Sequence, residues 1–166
     1  MNVVLKPADR GNWRKMVQLQ LKPGQQTFVS PPAWSLARCH VRFFGDRFDH
    51  LPHVIYADGE PVGYSTLACD PHTEDEYWID DIMIDARHQG RGYGRAAVIE
   101  SVRTILRRYP QCRAVQLTCM RSNTNAATLY LSLGFYATGQ LDDEVEEPNY
   151  KLVGPALDQF RPHRDV

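Results

Sequence analysis

Apolar residues recur at three- and four-residue intervals in several stretches of the chain, and this period predicts about four helices. The longest is predicted for residues 92–109, where Pro110 ends it, and shorter ones for residues 12–21, from near Pro32, and for residues 125–133. The predicted buried faces carry Trp13, Met16, Val17 and Leu21 in the first helix, Ala37, Val41 and Phe44 in the second, and Val98, Val102, Ile105, Leu106 and Tyr109 in the longest.

Shorter apolar runs between the helices predict strands. They occupy residues 3–6, 53–57, 62–68, 77–84, 114–119, 135–139 and 149–153. The second and third runs flank Asp58-Gly59-Glu60-Pro61, which has the composition of a hairpin turn. The resulting order, β-α-α-β-β-β-α-β-α-β-β, predicts a single α/β (α+β) domain over residues 1–166, with a mixed, mostly antiparallel sheet of about seven strands flanked by helices.

The composition excludes several classes of protein. The 166-residue chain is 43% hydrophobic and 23% charged, as expected of a soluble globular protein. No apolar run approaches the ~20 residues of a membrane span, and the N-terminus does not resemble a signal peptide, so we expect a cytoplasmic protein with no membrane partner. Its four cysteines and six histidines show neither C-x-x-C nor H-x-x-x-H spacing, so no metal site is expected. A net charge of −1 gives no reason to expect a nucleic-acid partner.

Charge is unevenly distributed along the chain. Seven of the 20 acidic residues lie between Asp70 and Asp85, where there is no lysine or arginine, and five more lie in residues 142–147. Arginines follow the first acidic segment, from Arg87 to Arg113. A molecule divided in this way is suited to hold a polyanion on one side of the strand-to-helix junction and a cation on the other.

The junction between the strand at 77–84 and the helix at 92–109 contains three glycines in five positions, Gly90, Gly92 and Gly94. Glycine lets the backbone adopt positive φ and approach a ligand closely. The N–H groups of a first helical turn have no partner within the helix and attract anions, so the backbone of residues 89–95 is predicted to bind phosphate. There is no Gly-Lys-Ser/Thr triplet, and a G-x-G-x-x-G pattern from Gly90 would end on Arg95. A Rossmann-type nucleotide-binding domain is therefore an alternative with less support.

Two motifs occur in order in the second half of the chain: Gln89-x-x-Gly92-x-Gly94, and N-x-x-A-x-x-L-Y-x-x-x-G-F over residues 123–135. The first resembles the coenzyme A loop of the GNAT superfamily of N-acetyltransferases, R/Q-x-x-G-x-G/A, and the second resembles a further segment of that family. The resemblance implies acetyl-CoA as cofactor and a fold in which strands 4 and 5 splay apart around the pantetheine arm. From the residues alone, Asn123 or Asn125 could instead be an ordinary N-cap. The coenzyme contacts implied by the resemblance are Ile82, Met83, Ile84, Gln89, Gly90, Arg91, Gly92, Tyr93, Gly94, Arg95, Asn123, Ala126 and Tyr130.

Acetyl transfer requires a neutral amine nitrogen, yet a primary alkylamine has a pKa near ~10.4 and arrives protonated. A general base must take that proton, directly or through water, before the nitrogen attacks the thioester. Asp80 and Asp81 are the candidates, because charged residues in mid-strand are costly unless paired or functional, and strand alternation predicts that they point to opposite faces. The resemblance implies that Tyr130 is the general acid beside the thioester sulfur. Its helical spacing from Leu133 also leaves a packing role open.

Within the superfamily, the chain is most similar to bacterial spermine/spermidine (diamine) N-acetyltransferases, through Tyr77-Trp78-Ile79, the glycine loop and residues 134–144. A polyamine presents cationic nitrogens on an apolar ladder, so its site should combine carboxylates with aromatic walls. The resemblance also implies a homodimer. Another amine (an aminoglycoside, an amino acid or a protein amine) and a non-catalytic, coenzyme A-binding sensor domain are the alternatives. The predicted contacts to a small polycationic amine are Glu74, Glu76, Trp78, Asp80, Phe28 and Trp34.

Overall fold

The computed structural model describes residues 2–141 and 147–162, and these residues form seven strands and five helices. None of these helices is long and apolar enough to cross a membrane. The elements in chain order are β1 (Val3–Pro7), α1 (Trp13–Val17), α2 (Pro32–His40), β2 (Asp49–Ala57), β3 (Glu60–Cys69), β4 (Tyr77–Ile84), α3 (Tyr93–Arg108), β5 (Ala114–Thr118), α4 (Thr124–Ser132), β6 (Tyr136–Leu141), β7 (Pro148–Val153) and α5 (Gly154–Asp158).

The strands form one sheet in the order β1-β2-β3-β4-β5-β7-β6. All neighbours pair antiparallel except β4 and β5, which are parallel and are connected through α3. Within the described residues, the register between β4 and β5 consists of a single pair, Trp78 opposite Gln116. The two strands therefore separate beyond that pair, which confirms the predicted mixed sheet with a splay between strands 4 and 5.

Helices cover both faces of the sheet. The stripe predicted on the longest helix is buried in α3, where Val98, Val102 and Ile105 are each at most 1% exposed and pack in one cluster with residues of β4, β5 and β7. On the opposite face, Met16 of α1 is fully buried and packs with Tyr64 of β3. The sheet is thus closed by helices on each side, and the space between β4 and β5 is left open to a ligand.

A β-bulge interrupts β4. Thr66 of β3 lies opposite Asp81, but the next residue, Leu67, lies opposite Ile79, so Asp80 is an extra residue on β4. Side chains alternate between the faces of a strand, and one inserted residue reverses that alternation. Accordingly, Ile79 packs in the α3 cluster before the bulge, whereas after it Met83 packs in the α1 cluster.

Several local predictions differ from the structure. The helix predicted for residues 12–21 ends at Val17, because the Gln20 N–H bonds the carboxylate of Asp85, 65 positions away, instead of continuing the helix. The second helix ends at His40, and Val41 beyond it is 67% exposed. Ala37 within α2 is exposed as well, and Trp13 in α1 is 41% exposed, so the predictions that these three residues point inward are wrong. The short helix α5 follows β7 directly and was not predicted.

Candidate functional site

A cavity of about 1010 Å³ lies where β4 and β5 separate. Its walls come from β4 and β5, from the segment between α1 and α2, from α2 itself, from residues 43–48 and from α4 with its N-cap. We call this cavity the cleft. The sequence-predicted residues that line it are Phe28, Trp34, Glu76, Trp78, Asp80, Asp81, Ile82, Met83, Ile84, Gln89, Asn123 and Tyr130.

The β4 edge of the cleft suits an extended chain of amides. Ile82, Met83 and Ile84 line the cleft beyond the Trp78–Gln116 pair, and β4 is paired there with β3 on its other side. Backbone groups that point into the gap between two strands are a template for another extended chain. The geometry therefore fits the pantetheine arm that was predicted to run beside these residues.

The glycine loop has the backbone conformation that was predicted. Gly90 and Gly92 have φ of 78° and 83°, which places both in the left-handed region that favours glycine. Gly92 is the N-cap of α3 and makes no side-chain capping bond, so the N–H groups of the first turn of α3 are not capped by a side chain. An added Cβ on Gly94 would lie 3.8 Å from Ile84 and 3.9 Å from Leu129, where α3 approaches β4 and α4. This loop fits a phosphate-bearing ligand.

The side chains of the loop have separate roles. The amide nitrogen of Gln89 donates to the Ile84 carbonyl at 2.9 Å and to Oε1 of Gln25 at 2.8 Å, so it braces the loop. Tyr93 packs against the core. Arg91 is exposed, and Arg95 is exposed and donates to Ser132 Oγ at 2.8 Å. The two arginines are therefore accessible to a polyanion bound at the loop.

The start of α4 closes the cleft on the β5 side. Asn123 lines the cleft and caps α4, because its Oδ1 accepts a hydrogen bond from the Ala126 N–H at 3.4 Å. The N-cap alternative is therefore correct for Asn123, whether or not the residue also contacts a ligand. Ala126 packs against the main core cluster.

Tyr130 both packs and reaches the cleft. Its side chain is 7% exposed and lines the cleft, and its ring centroid lies 6.0 Å from that of Phe135 and 6.2 Å from that of Tyr150. Burial raises the pKa of the Tyr130 hydroxyl, and the neighbouring Cys119 and Glu147 raise it further. The phenol therefore keeps its proton at neutral pH and can donate a hydrogen bond.

Asp80 and Asp81 both point toward α2, because the bulge at Asp80 removes the alternation between them. Asp80 Oδ1 accepts from Arg38 Nη2 at 3.1 Å, and Arg38 Nη1 lies 3.6 Å from Asp81 Oδ2. The prediction that these two carboxylates point to opposite faces of the strand is wrong. The cleft contains a carboxylate pair bridged by an arginine.

The two carboxylates have different environments. Asp81 is 6% exposed, and its Oδ2 accepts from Ser35 Oγ at 2.6 Å. Asp80 Oδ2 accepts from Thr66 Oγ1 at 3.2 Å. Burial, followed by the charge of Asp81, raises the pKa of Asp80 to about 7, against the opposing effect of Arg38. Burial also raises the pKa of Asp81, and the Ser35 hydrogen bond and Arg38 oppose it.

Arg38 and Ser35 were missed by the sequence analysis. They lie one turn apart on α2 and both contact the carboxylate pair. The guanidinium carbon of Arg38 lies 4.8 Å from the Phe43 ring centroid and 5.2 Å from that of Phe44. The signal available in the sequence was that two polar residues, Ser35 and Arg38, stand three positions apart on a helix that was predicted from its apolar residues alone.

The predicted substrate residues fall into two groups. Glu76, Trp78, Phe28 and Trp34 line the cleft, where Trp78 Nε1 donates to Glu76 Oε2 at 3.1 Å and Trp34 is 69% exposed. Glu74 lies outside it, because Glu74 Oε2 is paired with Arg113 Nε at 2.9 Å beside a separate surface depression. Of the acidic run at residues 142–147, Glu147 lines the cleft, and 142–146 lie outside the described residues. Glu74 is thus not brought to the site.

Among residues 2–141 and 147–162, no group of three or more His, Cys, Asp or Glu side chains is arranged to hold a metal ion.

A splayed sheet, a glycine loop at the start of α3 and a carboxylate-lined cleft are the features that the GNAT resemblance implied, and comparison with known families agrees. Residues 13–135 match the acetyltransferase (GNAT) family. The chain belongs to this family. Membership confirms the predicted enzyme class, an acetyltransferase, and the predicted cofactor, acetyl-CoA.

Individual relatives are distant in sequence. The spermine/spermidine N(1)-acetyltransferase of Bacillus subtilis (strain 168) is 23% identical over 155 residues, which cover 89% of this chain and 96% of the relative. The solved structure of aminoglycoside acetyltransferase AAC(6')-Ib with coenzyme A has a TM-score of 0.74 at 17% identity and covers 95% of this chain and 98% of its own. Spermidine N-acetyltransferase from Vibrio cholerae, with coenzyme A and spermine, has a TM-score of 0.65 at 17% identity over 90% and 92% of the two chains. The two structural likenesses support the fold.

Proposed function

We propose that this acetyltransferase acts on a polyamine of the spermine/spermidine class and acetylates a primary amine by direct attack of the neutral nitrogen. The observation that carries the proposal is that Asp80 and Tyr130 line one cleft together with the open edge of β4. The curated Bacillus subtilis relative, which matches most of the length of both chains, is named for this activity.

The geometry of the loop and of β4 supports a set of contacts to the cofactor. The N–H groups of Tyr93, Gly94 and Arg95 form the first turn of α3 and would hold the phosphates, with Arg91 close by in sequence. The backbone of residues 82–84 would pair with the pantetheine amides. Bound acetyl-CoA supplies the activated acetyl group.

Asp80 is the proposed general base. An ordinary aspartate titrates at 3.8, whereas the pKa of Asp80 is raised to about 7. An alkylamine titrates near ~10.4, so the raised pKa removes about half of the mismatch between proton donor and acceptor. A carboxyl with this raised pKa is still ionised in part at neutral pH and is then a stronger proton acceptor than an ordinary aspartate.

Tyr130 is the proposed general acid. Its raised pKa keeps the hydroxyl protonated, so it is a hydrogen-bond donor throughout the neutral range. A donor of this kind stabilises negative charge that develops on a departing sulfur. Because Tyr130 is buried, that interaction is not weakened by bulk water.

The substrate side of the cleft suits a polycation. Four carboxylates line it, on Glu76, Asp80, Asp81 and Glu147, against a single arginine, Arg38, among the described lining residues. Aromatic walls accompany them on Phe28, Trp34, Trp78, Phe43 and Phe44. Carboxylates attract the cationic nitrogens, and the rings contact both the cations and the methylene segments between them.

The test is coenzyme A release from acetyl-CoA with spermine, spermidine, putrescine, an aminoglycoside and a lysine-terminated peptide as acceptors. We expect kcat/KM to be highest for spermine or spermidine. Preference for the aminoglycoside or the peptide would reassign the substrate within the family. If acetyl-CoA binds but no amine is acetylated, the polyamine proposal fails, and the sensor alternative replaces it. The homodimer and the cytoplasmic location stay predictions, the first of which a molar-mass measurement in solution tests.

A further inference from the structure

Arg38 is held from several sides at the floor of the cleft. Its guanidinium donates to Asp80 at 3.1 Å and to Ser30 Oγ at 3.4 Å, and it lies 3.6 Å from Asp81. The rings of Phe43 and Phe44 flank it. Its side chain is 23% exposed, so the fork is largely removed from water and cannot be treated as a solvated surface charge.

The contacts of Arg38 with the two carboxylates are unequal. With Asp80 it forms a direct hydrogen bond, whereas Asp81 receives its close hydrogen bond from Ser35 at 2.6 Å. Asp81 Oδ2 is therefore fixed in place by its hydrogen bond from Ser35 on α2. Asp80 lies on the bulge and is bonded by Arg38 and by the Thr66 hydroxyl.

We propose, on the basis of the function proposed above, that Arg38 is a positioning residue that gives the two carboxylates different roles: Asp81 is held in place by Ser35 and Arg38, and Asp80 takes the proton of the amine. In that step an N–H bond of the substrate ammonium breaks, and its electron pair stays on nitrogen as the nucleophilic lone pair. The proton bonds to a carboxylate oxygen of Asp80, which becomes neutral. The positive charge of Arg38 keeps Asp80 able to start the step ionised.

The other groups that face Asp80 support this division. Asp81 on β4 raises the pKa of Asp80, and Arg38 on α2 lowers it. Cys39 on α2 and Tyr64 on β3 also feel the charge of Asp80, and burial raises the pKa of each, so both are uncharged at neutral pH. Thr66 on β3 contributes a neutral hydroxyl. Arg38 is thus the cation that opposes the effects of burial and of Asp81.

The test compares Arg38→Gln, which removes the charge, with Arg38→Lys, which keeps it, and uses Arg107→Gln as the matched control. Arg107 pairs with Glu100 on α3 and is 51% exposed, outside the cleft. The direct measurement is an NMR titration of protein carrying ¹³C-carboxyl aspartate, in which Asp80→Asn identifies the Asp80 signal. We expect the Asp80 midpoint in Arg38→Gln to rise by about one pH unit, while Arg38→Lys shifts it less and Arg107→Gln leaves it unchanged.

The kinetic consequence is an upward shift of the acidic limb of the kcat–pH profile. A midpoint raised by about one pH unit from near 7 lowers the ionised fraction at pH 7, and with it kcat, by about fivefold, with recovery at high pH. The acetyl-CoA KM is expected to stay within about twofold, because Arg38 is remote from the glycine loop in sequence and in its contacts. A purely structural role would lower the melting temperature without moving either midpoint.

The two proposals fail in different ways. If wild-type protein acetylates polyamines but Arg38→Gln shifts neither the NMR midpoint nor the kinetic limb, the role of Arg38 is overturned and the function stands. If no amine is acetylated by wild type, the proposed function and the proton transfer both fail. Should Arg38→Gln not fold, Arg38→Lys decides the question. An Asp80 midpoint raised by less than one pH unit, with the acidic limb moved by the same amount, would support the charge role. An unshifted midpoint, or a kcat as low as that of Asp80→Asn, would contradict it.

Discussion

Gln89 of the glycine loop donates a 2.8 Å hydrogen bond to Oε1 of Gln25, 64 positions earlier in the chain. The same nitrogen donates to the Ile84 carbonyl at the end of β4. A second contact reinforces this tie, because the Gln20 N–H donates to the carboxylate of Asp85, which follows β4 directly. The segment between α1 and α2 lines the cleft. These hydrogen bonds therefore connect the glycine loop to one wall of the cleft.

Gln25→Ala should loosen this connection. Gln25 Oε1 accepts from Gln89 and also from the Lys22 N–H at 3.2 Å. Loss of these hydrogen bonds is expected to lower the free energy of unfolding by about 1–2 kcal/mol and to raise the amine KM more than the acetyl-CoA KM. The reason is that residues 25–30 lose their fixed position on the cleft, while the glycine backbone of the loop is untouched. Chemical denaturation and steady-state kinetics measure the two effects. Gln18→Ala, at an exposed position in the turn that follows α1, is the control, and identical behaviour of the two variants would contradict the coupling.

Comparison of Gly92→Ala with Gly94→Ala should distinguish the effect of backbone strain on stability from the effect of an added methyl group on acetyl-CoA binding. Gly92 has φ of 83°, so an alanine there is expected to cost about 1 kcal/mol of stability. Gly94 lies inside α3 without positive φ, and its added methyl group would meet neighbours at 3.8 and 3.9 Å, which is ordinary contact. Alanine at 94 should therefore leave the melting temperature unchanged or raised.

Both glycine variants should nevertheless raise the acetyl-CoA KM, by about threefold or more, because a methyl group would keep the phosphates from the loop backbone. Thermal denaturation and acetyl-CoA titrations of the two variants give the comparison. An unchanged acetyl-CoA KM in a stable Gly94→Ala protein would show that the phosphates do not approach the backbone at this position.

Tyr130→Phe tests whether the buried hydroxyl acts in catalysis. The ring contacts with Phe135 and Tyr150 are kept, so the fold should be little affected. We expect kcat to fall by about 10²-fold with small changes in both KM values, because the lost group acts on the transition state. Tyr136→Phe on β6, where the side chain is 47% exposed, is the matched control. A loss of stability without a loss of kcat would leave Tyr130 as a packing residue.

The β4–loop–α3 unit could be predicted from the sequence because its signals are local. The strand predicted at 77–84 is observed as Tyr77–Ile84, and the helix predicted at 92–109 is observed as Tyr93–Arg108. The apolar run of the strand, the glycines of the loop and the apolar stripe that ends at Pro110 each determine structure over only a few residues. The helix at 12–21 was overpredicted, because a tertiary contact at Gln20 replaces the helical one. Local periodicity does not contain that information.

Several residues of the site could be predicted from the sequence, but the way they are arranged in space could not. Asp80, Trp78 and Tyr130 were selected from the sequence, and the structure places all three on one cleft. The bulge that turns Asp80 toward α2 depends on the register between β3 and β4, which is a property of two segments together. Arg38 could not be assigned for the same reason: its partners lie 42 and 43 positions away in the sequence.

Asp80→Asn and Asp81→Asn should change the pH–rate profile in different ways. Asparagine at 80 removes the proposed base, so kcat should fall by about 10²-fold or more and the acidic limb assigned to this carboxyl should disappear. Asparagine at 81 removes the negative charge that helps to raise the pKa of Asp80, so that pKa should fall from about 7. The acidic limb should then move to lower pH, opposite to the shift expected for Arg38→Gln. For Asp81→Asn we expect kcat to fall by about 10-fold or less. The measurement is kcat against pH from 5 to 9, at saturating acetyl-CoA and spermidine, for each variant. If Asp81→Asn abolishes the limb and Asp80→Asn keeps it, the base is Asp81, and the assignment of roles across the arginine is reversed.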